Sequence, residues 1–548
     1  MLARSLSHDV VDRAVAVSGE AHAPLDGSGV ADGSADRRFL RSSALVAALT
    51  LFSRLTGFVR EVLVAGAFGT TPAASALVLA QTVPNLSRSL ASEEVAQGTL
   101  VPTLSRMSSA DRQREGWRLT WLSGLIATGV LTLLFVAVFG LARQLSAAIA
   151  PGLDDEALDQ TARLLALLAP IIVFNGALGA GSAYLVSERR FGLVGLSAVF
   201  SNVPVLVGLL AVSGISVETV ALLLVAGYGL QAAFLGLSSV YTRSRIARRT
   251  PTRRLDGERL YRDLKAVALV APPIVLSLCM ANLSGIVDMA FSSLVGSGAP
   301  AALDKAFRLV VLPYGVFAVA MGTVALPQLA QAAQTPGEFD VELMRVIRFL
   351  AVVLIPTAVV AALLADDLVR LAYERGAFDA NSRSLTADAL VGLSFALPAL
   401  GMSLAGTRAW ISKRRPWPPA AAACLGLVVN AGLDAALIGP LGIAGIGIAT
   451  AVAHGCVGLV LMLTASEDAR AVGRQLVDLT TRVAGLVSLA TVVGLVVSAP
   501  LTSIPPGLRH VTAVIVGAAV LLGAASHFGV TDYRILLSTL TRQRRHRE

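Results

Sequence analysis

A chain of 548 residues that is 55% hydrophobic and only 15% charged, with a mean hydropathy of +0.71, lies outside the range of ordinary soluble domains, in which about a quarter of residues are charged. This balance excludes a water-soluble globular protein and points to an all-α polytopic membrane protein. The net charge of +9 does not call for nucleic acid as a partner, because the arginines fall in short loops between apolar segments, where the positive-inside rule accounts for them.

Residues 1–36 are polar and rich in Gly, Ser, Ala and Asp, without the apolar core of a signal peptide, and are expected to be a disordered cytoplasmic tail. Fourteen apolar runs follow, at roughly 42–66, 73–105, 118–147, 158–186, 191–213, 217–241, 262–294, 300–332, 343–365, 384–411, 418–438, 442–464, 480–500 and 508–530. Each can cross a hydrocarbon core of about 30 Å at 1.5 Å per residue. Cys279, Cys424 and Cys456 all fall in apolar runs and show neither a disulfide frame nor metal spacing.

The first two runs carry charge where it is expensive. Arg54, Arg60, Glu61, Arg88, Glu93 and Glu94 sit in or beside them, and a charge near the bilayer centre costs about 2.5–3.5 kcal/mol on insertion scales. Such residues face a protein interior or a wet cavity. Arg54 and Arg60, six apart, fall on different faces of an ideal helix and need not meet one ligand together. Gly69-Thr70-Thr71-Pro72 is expected to join the two helices, and Pro84-Asn85 to break the second, since proline removes a backbone donor.

The loops alternate between basic and neutral or acidic, which predicts that both termini are cytoplasmic and that the helix count is even. The longest basic loop divides the chain. We expect an N-lobe of six helices at 37–242, a basic cytoplasmic linker at 243–261, a C-lobe of six helices at 262–466, two further helices within 467–530, and a basic cytoplasmic tail at 531–548. The linker is a tether, and anionic lipid headgroups are candidate neighbours for it. The lobes read as one repeat. Gly98-Thr99-Leu100-Val101-Pro102 is echoed by Gly322-Thr323-Val324-Ala325-Leu326-Pro327, and Val83-Pro84-Asn85 by Leu312-Pro313-Tyr314. Both copies enter from the same side, so the repeat is parallel, and two pseudo-symmetric six-helix lobes should face each other across a central cavity.

In the second lobe Asp288, Asp304, Lys305, Arg308, Arg408 and Asp434 interrupt the apolar runs. Arg308 occupies the repeat copy of the segment that bears Arg88. Arginines from both lobes facing one cavity would suit a phosphate-bearing anion, because guanidinium forks bind phosphate through paired hydrogen bonds. The alternative is that each pairs with a nearby acid: Arg60 with Glu61 or Glu94, and Arg308 with Asp304. Asn430 and Asp434, four apart, share a helical face, and a Gly-Pro-Leu-Gly turn at 439–442 brings Ile446 and Thr450 back alongside. With Asp288 they would form either an all-oxygen cage for a hard cation or an interhelical hydrogen-bond cluster. No catalytic constellation appears around His454 or Asp159, and Asp366-Asp367 reads as a solvated helix cap, so an enzyme is not expected.

These residues resemble the MurJ/MviN family, the lipid II flippases of the multidrug/oligosaccharidyl-lipid/polysaccharide exporter superfamily. Ser53-Arg54-Leu55-Thr56-Gly57-Phe58-Val59-Arg60-Glu61 looks like the family's opening S-R-x-x-G-F-x-R-[DE]. Pro84-Asn85-Leu86-x-Arg88, Glu93 and Val101-Pro102 continue the match. In the second lobe Val287-Asp288, Gly296-Ser297-Gly298, Arg308-Leu309, Pro313-x-Gly315 and Leu326-Pro327 follow the family's order. The resemblance implies a transporter that carries the undecaprenyl-diphosphate-linked peptidoglycan precursor from the inner to the outer leaflet of the bacterial cytoplasmic membrane, with no covalent chemistry. It implies Arg54, Arg60, Arg88, Arg308 and Glu93 as substrate-binding residues. It also implies Asp288, Asn430, Asp434, Thr450 and the Ile446 carbonyl as a sodium site, with sodium as a coupling ion and no other cofactor. Membrane lipids and cell-wall synthesis or division proteins are the implied partners. The chain departs from the family at Ser75 and Val311, where an acid is usual, at Thr82, often lysine, and at Glu94, usually glycine. A flippase for another polyprenyl-linked glycan or a non-transporting cell-wall scaffold are therefore the rival readings.

Overall fold

The computed structural model describes residues 52–91, 95, 99–101, 103, 104, 107, 115–247, 257–335, 337–498 and 512, and these described residues fall in one compact unit. Every regular element among the described residues is helical. Among the described residues, ten helices are long and apolar enough to cross a membrane, or eleven when the pair Ala380–Ser394 and Ala396–Ser412, bent by 41°, is taken as one span. The expected spans at 42–66, 73–105 and 480–500 run partly outside the described residues, and the span at 508–530, the 1–36 tail and the 531–548 tail lie outside them. Only the edges of the 243–261 linker are described.

The first helix covers residues 52–68 and the second Pro72–Ala91, joined at Gly69 with φ +59°. The second helix does not break at Pro84, contrary to expectation. It continues for seven more residues, with side chains bonded to the Pro84 carbonyl. Ser87 Oγ donates to the Pro84 carbonyl at 2.7 Å, and Asn175 Nδ2 donates to the same carbonyl at 3.2 Å and to Ser87 Oγ at 2.9 Å. In the second copy the backbone responds differently. The helix Ala299–Pro313 passes into a π-helical turn at Tyr314–Val319 before α-helix resumes at Ala320–Ala332. The turn expected at 439–442 is shorter than the motif. Gly439 and Pro440 remain helical within Trp417–Leu441, and the chain reverses at Gly442 alone, at φ +56°.

Two large apolar cores organise the chain. One is built from residues between Val64 and Leu224, the other from residues between Ala299 and Val487, with Ala65 added. The helix Ala469–Ser498 packs Val472, Leu476, Leu479 and Val483 onto the second core. A matching pair of turns recurs in the two halves. After Pro170–Ser187, Arg189 adopts φ +59° and the Arg190 amide donates to the Leu185 carbonyl at 2.8 Å. After Ala396–Ser412, Arg414 adopts φ +59° and the Arg415 amide donates to the Trp410 carbonyl at 3.0 Å. Both are helix terminations with a left-handed residue beyond the last turn, made by arginine where glycine is usual.

At the opposite end of the helices the two cores are pressed together. The Ala377 amide donates to the Gly66 carbonyl at 2.7 Å, Thr70 Oγ1 bonds Ser382 Oγ at 2.9 Å, and the Gly152 amide donates to Ser293 Oγ at 3.1 Å. Asp379 caps the helix that carries Ser382. The Ser382 amide donates to its carboxylate at 2.8 Å, and that bond holds the carboxyl below its usual range. Gly69 has no room for a side chain here, since a Cβ would lie 2.4 Å from the Ala377 carbonyl oxygen.

Gly69→Ala should therefore lower stability by more than the roughly 1–2 kcal/mol of a left-handed alanine. Gly214→Ala, at φ +71° with open space around it, should lose only that backbone part. Melting temperatures in detergent compare the two, and equal shifts would show that the Ala377 contact does not matter.

Candidate functional site

Between the two cores lies a buried network of charge. Glu61 is at its centre, on the first helix and facing the start of Ala299–Pro313. Its Oε1 accepts from Arg60 Nη2 at 2.6 Å and Nε at 3.2 Å. Its Oε2 accepts from Lys305 Nζ at 2.8 Å and lies 3.2 Å from Arg308 Nε. Asp304, one turn before Arg308 on the same helical face, accepts from Arg308 Nε at 2.8 Å and Lys305 Nζ at 3.2 Å. Arg60 also donates from Nη1 to Asn202 Oδ1 at 3.0 Å, and Tyr373 Oη donates to the Lys305 carbonyl at 3.2 Å. The Lys305 side chain is 3% exposed and that of Glu61 7%. Among the described residues, three cations against two carboxylates leave one positive charge in excess.

That excess opens onto space. Arg308 and Asp304 line a cavity of about 140 Å3 with Gln81, Thr82 and Asn85 from the second helix and Asn282 and Gly285 from Gly257–Val295. The Arg308 side chain is 32% exposed, the most open of the three cations. Beside these charges the cavity walls mix amides and a hydroxyl, which can bond a polar ligand without adding charge, with apolar Val78, Ile286 and Met289.

Arg54 is placed elsewhere. Its guanidinium lies on the backbone of Gly315, in the π-helical turn, where a Cβ would come within 2.2 Å of Arg54 Nη1. The absent side chain at 315 leaves room for the guanidinium in this position. Arg88 is exposed in the last turn of Pro72–Ala91. Neither Arg54 nor Arg88 is a partner of Glu61, and Glu93 and Glu94 lie outside the described residues.

A second cluster joins three helices of the C-terminal half. Asn430 Nδ2 donates to Asp288 Oδ1 at 2.5 Å and to Asp434 Oδ2 at 2.9 Å. Thr450 Oγ1 bonds Asp288 Oδ2 at 3.1 Å and the Ile446 carbonyl at 3.0 Å. The five residues expected from the sequence thus stand together. Asn430 and Asp434 are fully buried, and the oxygens Asn430 Oδ1 and Asp434 Oδ1 have no hydrogen-bond partner. Two adjacent buried carboxylates repel unless a cation or a proton lies between them, and unspent oxygens of this kind are what a hard cation takes.

The family model for lipid II flippase MurJ matches residues 64–504. The chain belongs to the MurJ family. A probable lipid II flippase MurJ of Rhizobium tropici is 29% identical over 414 residues, covering 74% of this chain and 77% of the relative. The lipid II flippase MurJ of Burkholderia cenocepacia is 28% identical over 363 residues, covering 64% of this chain and 69% of the relative. Among solved structures, a lipid II flippase MurJ in an inward closed conformation superposes with a TM-score of 0.72 at 21% identity, over 90% of this chain and all of that one. An inward-facing multidrug transporter of the MOP superfamily follows at 0.60 and 14% identity, over 79% and 99%. These last two establish the fold.

The positions at which the chain departs from the MurJ pattern have defined surroundings. Ser75 is fully buried, and its Oγ accepts from the Ala301 amide at 3.3 Å, so it fastens the two cores together. Thr82 lines the cavity but donates its hydroxyl to the Leu79 carbonyl at 2.6 Å. Val311 is partly exposed. Asp366 and Asp367, expected as a solvated cap, are ion-paired with Arg383 and Arg370 in the first turn of Ala365–Tyr373. Asp159 pairs with Arg143. Sequence reasoning missed Lys305 as the partner of Glu61. Its cost in an apolar run was visible, but its partner stands 244 residues away.

Charge counting ranks the variants. Glu61→Gln leaves three cations with one carboxylate and should cost about 3–5 kcal/mol, as expected when a buried pair loses one partner. Lys305→Met leaves two cations with two carboxylates and should cost much less. The double variant should be more stable than Glu61→Gln alone. Thermal melts would sink this account if Lys305→Met proved the worst of the three.

Proposed function

We propose that this chain translocates lipid II, the undecaprenyl-diphosphate-linked peptidoglycan precursor, from the inner to the outer leaflet of the bacterial cytoplasmic membrane by alternating access. On this reading the chain has fourteen spans in two six-helix lobes plus two C-terminal helices, with both termini cytoplasmic. The family supplies the substrate class, and one observation carries the mechanism: the network between the cores holds one more cation than carboxylate and meets a polar cavity through Arg308. A diphosphate cannot shed its water in hydrocarbon unaided. Entering the cavity, it would take Arg308 from Asp304 and Glu61 through charge-assisted hydrogen bonds, strengthened by the low dielectric. Arg54 and Arg88 would then guide the headgroup rather than share its first resting place. The polyprenyl tail would stay in the bilayer. Loss of Arg308 from Glu61 loosens the tie between the cores, which couples binding to their separation at the Gly66–Ala377 and Thr70–Ser382 contacts.

The buried oxygens at Asp288, Asn430, Asp434, Thr450 and Ile446 support a sodium site, which would brace the C-terminal half and bias the cycle. The charges missing at Ser75, Thr82 and Val311 favour one second reading, a flippase for a different polyprenyl-linked glycan.

Complementation of a lipid II flippase depletion strain tests the proposal. The intact chain is expected to rescue growth, and Arg308→Ala to reduce translocation at least about tenfold, the worth of a charge-assisted bond. Lys305→Met should fold yet fail to rescue, because it removes the excess charge without unbalancing the network. A well-inserted parent chain that does not rescue would remove lipid II as the substrate. Cysteines at Thr70 and Ser382 should arrest rescue when oxidised and restore it when reduced.

Sodium should raise the melting temperature more than potassium at equal ionic strength, and Asp434→Asn should abolish that difference. No difference in the parent chain removes the ion from the mechanism.

A further inference from the structure

Away from the network, the outer face of the N-terminal half carries a second cavity, of about 310 Å3, between the helices Trp117–Gly140, Pro170–Ser187 and Val217–Ala247. Its walls are Trp117, Trp121, Leu125, Tyr184 and Val240, and its floor is Gly124, Ala180, Gly181 and Gly236. The floor is shallow because the helices touch closely. A Cβ on Gly124 would meet the Ala180 Cβ at 2.7 Å, and one on Gly181 the Leu235 Cβ at 3.2 Å. Gly236 points into open space, with nothing within 4 Å of its Cβ position.

The interior offers hydrocarbon contacts and little else. Four lining residues carry hydroxyls, Thr120, Thr128, Tyr184 and Ser239, and those of Thr120 and Ser239 already donate to the Gly116 and Leu235 carbonyls at 2.8 Å each. The mouth is half open to the outside, since Trp121 is 51% and Leu125 55% exposed. One end is cationic. The Arg243 guanidinium carbon sits 4.7 Å from the Trp117 ring centroid, a cation–π stack, and Arg118, Arg189 and Arg190 are exposed at the same end of these helices. Glu115 and Glu188 are the acids there and have partners of their own.

We propose that this groove is a binding site for one anionic diacyl phospholipid, with an acyl chain lying on the glycine floor against Trp121 and Leu125 and the phosphate held by Arg243 and Arg118. The pairing of an apolar trough with a cationic rim selects an amphiphile of that charge. A water-soluble anion would gain nothing from the trough, and a neutral lipid nothing from the rim. Basic pockets between spanning helices bind such headgroups. The bound lipid would knit three helices whose outward faces are otherwise bare, and it shares no residue with the charge network.

Native mass spectrometry of the full chain in detergent, with phosphatidylglycerol, phosphatidylethanolamine or a polyprenyl phosphate added singly and in competition, tests this. The intact chain should retain one phosphatidylglycerol. Arg243→Ala should weaken retention about fivefold, the worth of one basic side chain at a membrane surface. Gly236→Phe, which fills the trough from an open position, should abolish it, and Leu237→Phe, next along the helix and 71% exposed, should not change it. If Gly236→Phe does not fold, Trp121→Ala should lower retention in its place. Equal retention of phosphatidylethanolamine, full retention by the trough variants, or displacement by the polyprenyl phosphate would overturn the assignment. Because the groove is separate from Arg308 and Lys305, loss of lipid and loss of rescue can be told apart.

Discussion

Placing Glu61 between Arg60, Lys305 and Arg308 is the constraint on which the rest of the structure depends. A lone carboxylate or ammonium in this setting costs several kcal/mol, so each must be met by opposite charge in good geometry. Satisfying that demand pulls the first helix, from the N-terminal half, against the Ala299–Pro313 helix of the C-terminal half. The two apolar cores cannot do this themselves. In a bilayer, lipid tails are as apolar as leucine, and the association of helices relies on packing and polar contacts. The network is thus both the tie between the halves and, through its surplus cation, the feature that gives an anion reason to enter.

The same economy of means recurs at the closed end. There the halves meet through backbone and hydroxyl groups at Gly66, Thr70, Gly152, Ala377 and Ser382, all short contacts that need small residues and little buried charge. Contacts of this kind are individually weak, so a surface made of them can open without a large barrier once the charged tie is loosened. The buried oxygens around Asp434 belong to the C-terminal half alone. An ion there would stiffen that half rather than join it to the other.

The matched turns at Arg189 and Arg414 show the internal repeat in geometry and in sequence together. The strings Ser187-Glu188-Arg189-Arg190 and Ser412-Lys413-Arg414-Arg415 differ only at Glu188 and Lys413. The backbone ends both helices in the same left-handed way. The proline segments behave oppositely. Pro84 and Pro313 correspond, yet one helix runs on through its proline, with Asn175 and Ser87 bonded to the Pro84 carbonyl, and the other turns π.

Much of the fold was legible in the chain because spanning a bilayer imposes rules on the sequence itself. Apolar length, loop charge and the cost of a charge within a run are local quantities, and they marked the helices and the residues that matter, from Arg60 and Arg308 to Asp288 and Asn430. The Asn430/Asp434 cluster could be read because four-residue spacing fixes a helical face. What only the tertiary structure decided was partnership across distance. That Glu61 meets Lys305 across 244 residues, that Arg54 rests on Gly315, that Ser75 binds Ala301 and that Pro84 does not break its helix all depend on which faces two packed halves present to each other. Hydrophobicity along the chain carries no record of those pairings, since the bilayer sets where each helix lies in depth but not which neighbour it turns toward.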